Sequence, residues 1–361
     1  MLYIFLLLAS LAFCSVQYVK SAKPLGIYFL YSTLFMLFLF SALRYGVGTD
    51  YKNYVKIYHE INSSIGTDAN IEFAFYNIVK FCDYIGADVE LMFAIMSAII
   101  IIVFFSAREM RTIWGVFAFI CILYLPSFSL IRQSAAIGFV CVASFAIINN
   151  RVKYAFALTV IGCLFHMSAI LFILVILCRR IKIGIGLGFV TILTIYVLLS
   201  KFNLAQLVLD NEFFRESRYG VYSDSGMFAK QTEMGTGLGV LLKLLPSFIF
   251  LLLSRGYKRS DDKNIDALNI LNCLNYIYII AILFSIQIHI FNRVVDLFMF
   301  VPAVTFVSLN RLGLTRDNEK IWRLIFSILI FLNFVLMIYS NPSTAFGGLG
   351  INPYQSILSA H

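Results

Sequence analysis

The stretch YAFALTVIGCLFHMSAILFILVILC, residues 154–178, is an apolar run broken by His166, and the way it meets a membrane decides the rest of the chain. A single span is the simplest reading, since a spanning helix needs ~20 apolar residues. But NNRVK (149–153) precedes the run and CRRIK (178–182) follows it. Lysine and arginine concentrate on the cytoplasmic side of membrane proteins, so both ends ask for the same side. Two half-length helices meeting at His166 satisfy both. Parity along the chain agrees. A single span would put Arg179, Arg180 and Lys182 outside, and the basic loops 255–263 and 311–323 with them. With the broken pair, the loops at 20–23, 108–111, 151–153, 179–182, 255–263 and 311–323 all lie inside, and together they hold more than half of the 28 lysines and arginines. Broken helices are tolerated at membrane depth only where they line a cavity or are buried in protein. His166 therefore marks a candidate cavity.

Working outward, the chain is 61% hydrophobic and 13% charged with a mean hydropathy of +0.88, well beyond the range of soluble domains. It reads as an all-α polytopic integral membrane protein, a single transmembrane domain over 1–361 with about 12 crossings. The expected helices are 2–19, 25–43, 91–106, 113–125, 134–148, the pair within 154–178, 183–199, 238–254, 268–290, 294–309 and 324–340. Two long outer loops (about 44–90 and 200–237) and an outer tail (341–361) lie between and after them, and both termini are outside. Met1–Val19 has no basic residue ahead of its apolar core, and Lys20 and Lys23 follow it. That polarity reads as a first helix entering from outside and not as a cleavable signal. The net charge of +9 belongs to cytoplasmic loops and not to nucleic-acid binding. Seven cysteines without a CxxC pair and four histidines without ligand spacing predict no disulfide framework, metal site or cofactor. GIGLG (184–188) and GTGLG (235–239) open apolar helices and read as close helix packing, not as dinucleotide loops.

PSFSLIRQSAA (126–136) interrupts an apolar stretch and sets Arg132 beside Gln133 at an outer helix end. An arginine at a membrane is costly, so it is either an interfacial anchor or an anion site in a wet cavity. Arg44, Arg215, Arg218 and Arg293 fall on the same outer side, with Asp50, Glu72 and His166 as acidic or protonatable groups and Tyr51, Tyr54 and Tyr354 among many tyrosines. Arginine presents a fixed fork of donors suited to phosphate oxygens. Aromatic faces with polar neighbours suit sugar rings and hydroxyls. The assembly fits a lipid-borne, phosphate-bearing substrate with a polar head outside. Plainer roles stand beside this one: snorkelling arginines, a glycine turn and helix cap in GVGTD (46–50), and a satisfied core histidine at 166.

RYGVGTDYKNY (44–54) is similar to the R-x-G-x-G-T-D-Y-x-x-Y signature of the EpsG-like, Wzy-type polysaccharide polymerases. Glu72 with Phe73–Phe75, LIRQSAA (130–136), LFHMSAI (164–170) and NPYQSIL (352–358) follow in that family's order. FNRVVDLF (291–298) resembles its arginine element, though an aromatic usually follows where this chain has Leu297–Phe298. The 200–236 loop has no close motif match, as expected if it reads a particular sugar. The resemblance implies a GT-C-like glycosyltransferase that polymerises undecaprenyl-pyrophosphate-linked repeat units of O-antigen, capsule or exopolysaccharide. It would work at the outer face of the bacterial cytoplasmic membrane, with lipid-linked glycans as donor and acceptor and with a flippase and a Wzz-like chain-length regulator as partners. On that reading Arg44, Tyr51, Tyr54, Arg132, Gln133, Arg215, Arg218, Arg293 and Tyr354 bind substrate, and His166, Asp50 and Glu72 are the candidate bases. The leaving group is already good, so arginines can carry its charge without a metal.

Two rivals remain. A lipid-linked oligosaccharide flippase needs a cationic cavity too, but calls for basic residues through the membrane depth and two-fold symmetry. A membrane O-acyltransferase needs a histidine reachable from the cytoplasm, and His166 is expected on the other side.

Overall fold

The computed structural model describes residues 1–19, 25–63, 71–181, 184–201, 237–255, 262–288, 291–339 and 349–359. Their regular structure is helical, and the only strand-like pairing among them is an isolated bridge between Arg44 and Ser356. Four helices are long and apolar enough to cross a membrane, and seven shorter apolar helices accompany them among the described residues. The chain divides into two compact units, one of Met1–Ile173 with Ile330–His361 and one of Leu174–Leu329.

The first unit begins with α1 (Leu2–Ser15) and α2 (Gly26–Ala42), both apolar on every face. Two of their buried hydroxyls are satisfied within the helix, Ser10 donating to the Leu6 carbonyl and Thr33 to that of Phe29, while Tyr3 donates to the Ile351 carbonyl and Ser41 Oγ meets Ser97 Oγ (2.8 Å). The segment 44–90, read as a long polar stretch with a helix start at GVGTD, holds two helices, α3 (Tyr51–Asn62) and α4 (Phe73–Tyr84). Each is amphipathic. Tyr51, Tyr54, Tyr58 and Ile61 share the buried face of α3, and Phe75, Val79 and Cys82 that of α4, at helical spacing. Then come α5 (Val89–Phe104) and α6 (Ile113–Ala118), which runs on through a π-helical turn at Phe119–Tyr124 to the corner at Pro126. The central helix is α7 (Ile131–Ile148), buried on nearly every side.

α8 (Val152–Phe165) packs antiparallel along α7. It stops where the charge pattern calls for a break. His166 is extended (φ −159°, ψ 124°), a 3₁₀ turn covers Met167–Leu171, and α9 (Phe172–Cys178) follows. Asn149 Nδ2 donates to Glu109 Oε1 (2.9 Å), so the basic loops around Arg108 and Arg151 meet at one end of the unit. Phe139 stacks on Phe165 (5.5 Å) and Gly162 lies against the Ala136 carbonyl, so α8 ends at His166 toward the half of α7 where that helix starts.

The second unit contains α10 (Ile185–Lys201), α11 (Leu238–Arg255), α12 (Asp262–Gln287), α13 (Asn292–Phe298) and α14 (Val301–Val307). α15 (Arg316–Tyr339) runs from it into the first unit's share of the chain. Ile192, Leu199, Leu251, Tyr276, Ile279 and Leu283 form its core. Of the GIGLG glycines, Gly188 lies against the Tyr276 ring with no room for a side chain, while Gly184 and Gly186 face open space. The single helix expected over 294–309 is two short ones, because Pro302 at the start of α14 has no N–H to continue the ladder from α13.

Candidate functional site at one end of the first unit

The site is built on the loop between α2 and α3. Gly46 and Gly48 hold φ of +65° and +108°, and a β-carbon at Gly48 would run into the Phe128 carbonyl. The chain is threaded there between the Pro126 corner and the segment 349–359. Gly48 N–H donates to the Gly350 carbonyl (2.9 Å) and Tyr45 N–H to that of Gln355 (2.9 Å), while Ile357 N–H returns to the Leu43 carbonyl (2.9 Å). Ser129 Oγ ties the three segments together: it accepts from Thr49 N–H (3.0 Å) and donates to the Leu349 carbonyl (3.0 Å). Tyr354 lies flat on Phe40 (4.1 Å) and donates to the Phe40 carbonyl (2.9 Å). It is an anchor of this strap.

Two arginines of the signature elements sit in different settings. Arg44 is 2% exposed. Its guanidinium lies between the rings of Phe93 (5.1 Å) and Phe128 (5.0 Å) and donates to Ser41 Oγ (3.0 Å) and Ser97 Oγ (3.2 Å). Burial pushes it down to about 10, with Tyr124, Tyr51, Tyr354 and Tyr54 opposing, so it stays charged at neutral pH. Arg132, at the first turn of α7, is partly open. Its Nη1 donates to Glu72 Oε2 at 2.6 Å, and its guanidinium lies over Tyr54 (5.8 Å) and Phe75 (5.5 Å). Tyr54 also hydrogen-bonds to Arg132, and burial of that phenol raises it against the pull of the guanidinium. Arg132 Nε is buried without a partner among the described residues.

The remaining expected residues divide as follows. Tyr51 is buried, stacked on Phe93 at 4.5 Å. Gln133 is buried beside Arg132. Asp50 precedes α3, is part-exposed, and accepts from Asn53 Nδ2 at 3.5 Å. His166 Nδ1 lies 2.7 Å from Ser168 Oγ, a pair in which either partner can donate, and 3.3 Å from the Ser168 amide nitrogen. α4, which carries Glu72 at its head, packs against α8, which ends at His166. Thus Tyr54, Glu72, Arg132 and His166 gather at one end of one unit. Arg293 is exposed at the start of α13 in the second unit, within electrostatic reach of Asp296, which Lys243 also approaches. Arg215 and Arg218 lie outside the described residues. Sequence reasoning missed Phe75, Phe93 and Phe128 as guanidinium platforms and Lys243 as a neighbour of Asp296. Only the last left a signal, a lysine inside an apolar helix. Among the described residues no group of three His, Cys, Asp or Glu side chains could hold a metal.

The model of the EpsG family matches residues 27–356. No curated protein and no solved structure matches the chain.

Proposed function

The chain belongs to the EpsG family, and from that premise we propose that it polymerises undecaprenyl-pyrophosphate-linked oligosaccharide repeat units at the outer face of the bacterial cytoplasmic membrane. Membership points to a membrane polysaccharide polymerase-like, glycosyltransferase-type role. The finer reading is ours: about 12 crossings, a GT-C-like plan, repeat units of O-antigen, capsule or exopolysaccharide, and transfer without a metal.

The observation that carries it is Arg132, held over Tyr54 and Phe75 at the end of the bundle where α8 breaks at His166. A planar guanidinium suits the diphosphate of a lipid-linked donor. In the tautomer that carries its proton on Nδ1 and donates it to Ser168 Oγ, His166 suits a general base acting through Nε2. In the step we infer, Nε2 takes the proton of the acceptor hydroxyl and that oxygen bonds to the donor's anomeric carbon. The bond from that carbon to the diphosphate oxygen breaks, and the electron pair leaves on the polyprenyl diphosphate, whose added charge faces Arg132. To Asp50, part-exposed near Tyr54, we assign the orienting of the acceptor as an ionised acceptor of hydrogen bonds.

Purified protein reconstituted with lipid-linked repeat units tests this directly. A ladder of polymer on a gel, with polyprenyl diphosphate released in step, is the expected result. Movement of repeat units across the bilayer without any ladder would make the protein a flippase and end the proposal.

A further inference from the structure

Glu72 occupies an unusual position for a carboxylate at a helix start. It is the residue before the first turn of α4, with an extended backbone, and its side chain makes no bond to the α4 amides. An acid there ordinarily caps its own helix, where amide donors and the helix dipole favour it. Instead the carboxylate turns to Arg132, at 2.6 Å. The two partners are not equally fixed. Arg132 rests on two aromatic faces and hydrogen-bonds to Tyr54, so it has supports that do not involve Glu72. Its side chain is 22% exposed and that of Glu72 13%, so the pair is reachable from outside. The guanidinium also has capacity to spare, since Nε has no partner among the described residues.

Resting on the function proposed above, we propose that Glu72 is the resident counter-ion of a diphosphate site at Arg132 and that its return to Arg132 expels the spent polyprenyl diphosphate. The donor's diphosphate is a diester. The product is a monoester with more negative charge, so an arginine built to stabilise its departure also holds it. A carboxylate competing for the same donors lowers that affinity and clears the site. While the diphosphate is bound, the uncapped amides at the head of α4 offer Glu72 a second seat. Glu72 is thus a positioning residue, acting on substrate exchange through Arg132.

The test is binding of a long-chain polyprenyl diphosphate, carrying no glycan, to the full chain in lipid nanodiscs. Glu72→Gln should bind it roughly tenfold tighter than the unaltered protein, and turnover should become correspondingly more sensitive to added product. Glu72→Asp, whose shorter carboxylate loses the 2.6 Å contact but keeps its charge, should tighten binding to a smaller degree; it serves as the measured variant where the glutamine protein does not accumulate. In the Arg132→Gln background the Glu72 substitution should have no effect on binding, which a merely structural role in α4 would not produce. Unchanged or weaker binding by both Glu72 variants, beside an unaltered protein that binds the probe and makes polymer, overturns the exchange while leaving the proposed function standing. A probe that binds neither the unaltered protein nor either Glu72 variant removes both.

Discussion

Arg44 and Arg132 look alike in sequence, each at a helix end beside polar residues, and the structure gives them different work. Lysine at 44 keeps the charge but not the plane, so it cannot fill the slot between Phe93 and Phe128 while reaching both Ser41 and Ser97. Arg44→Lys should cost about 2 kcal/mol of stability through those lost contacts. A lowered thermal midpoint in detergent is the expected readout, with activity falling in proportion to folded protein. Arg132→Lys should leave the midpoint near that of the unaltered chain and reduce polymer formation by roughly 10²-fold, because a point charge replaces the fork. Equal behaviour of the two variants in both assays would erase the distinction. His166→Gln separates chemistry from packing in the same manner. A base should be lost by about 10²–10⁴-fold in turnover at normal protein level, whereas a histidine that only bridges α8 to the 3₁₀ turn should show its loss as less protein.

At the scale of elements, the strap 349–359 and the loop 46–50 form one device. Tyr354 fastens it to α2, Gly48 and Gly350 let the backbones approach, and Ser129 joins both to the Pro126 corner ahead of Arg132. Gly48→Ala meets a positive φ and a carbonyl together, and should destabilise by about 1–3 kcal/mol. Tyr354→Ala should cost about 2 kcal/mol by losing its stack and its hydrogen bond. Both should broaden exchange of the Tyr45–Tyr51 amides measured by hydrogen–deuterium exchange; protection equal to that of the unaltered chain would mean that the strap does not hold the loop. How much of this was legible differs by element. The break at His166 was readable because charge at both ends of an apolar run constrains its parity. Of α3 only the start was, in the turn and cap of GVGTD; its extent and all of α4 were not, since amphipathic surface helices bury too little to stand out against spans that are apolar all round. The division of α13 from α14 had a visible cause in Pro302, but an apolar run with proline near its middle reads equally as a kinked span. The platforms under the guanidinium groups were invisible for another reason. Phe93 and Phe128 come to Arg44 from 49 and 84 positions away, a separation that no local pattern encodes.

For the whole molecule, the decisive question is on which side Arg179–Lys182 lies. Within the first unit, Arg108 and Arg151 share one end through Glu109 and Asn149, and Arg132 and His166 share the other. If the basic end faces the cytoplasm, as the positive-inside rule requires, the candidate site faces outward. On that orientation α8 runs from the basic end to the level of His166 in 14 residues, and the 3₁₀ turn and the 7 residues of α9 follow it. A turn back at His166 would send the chain inward again and return 179–182 to the cytoplasm, which would keep 255–263 and 311–323 there as well. Ile181→Cys, in a chain whose seven native cysteines are replaced by serine or alanine, should therefore be labelled by a membrane-impermeant maleimide only after the cells are opened. Lys56→Cys, on the exposed face of α3, serves as the outer control and should react in intact cells. Labelling of both positions in intact cells would make 154–178 a single crossing. It would then move the basic loops 255–263 and 311–323 to the outside, reverse every crossing after His166, and leave the helix break without a topological purpose.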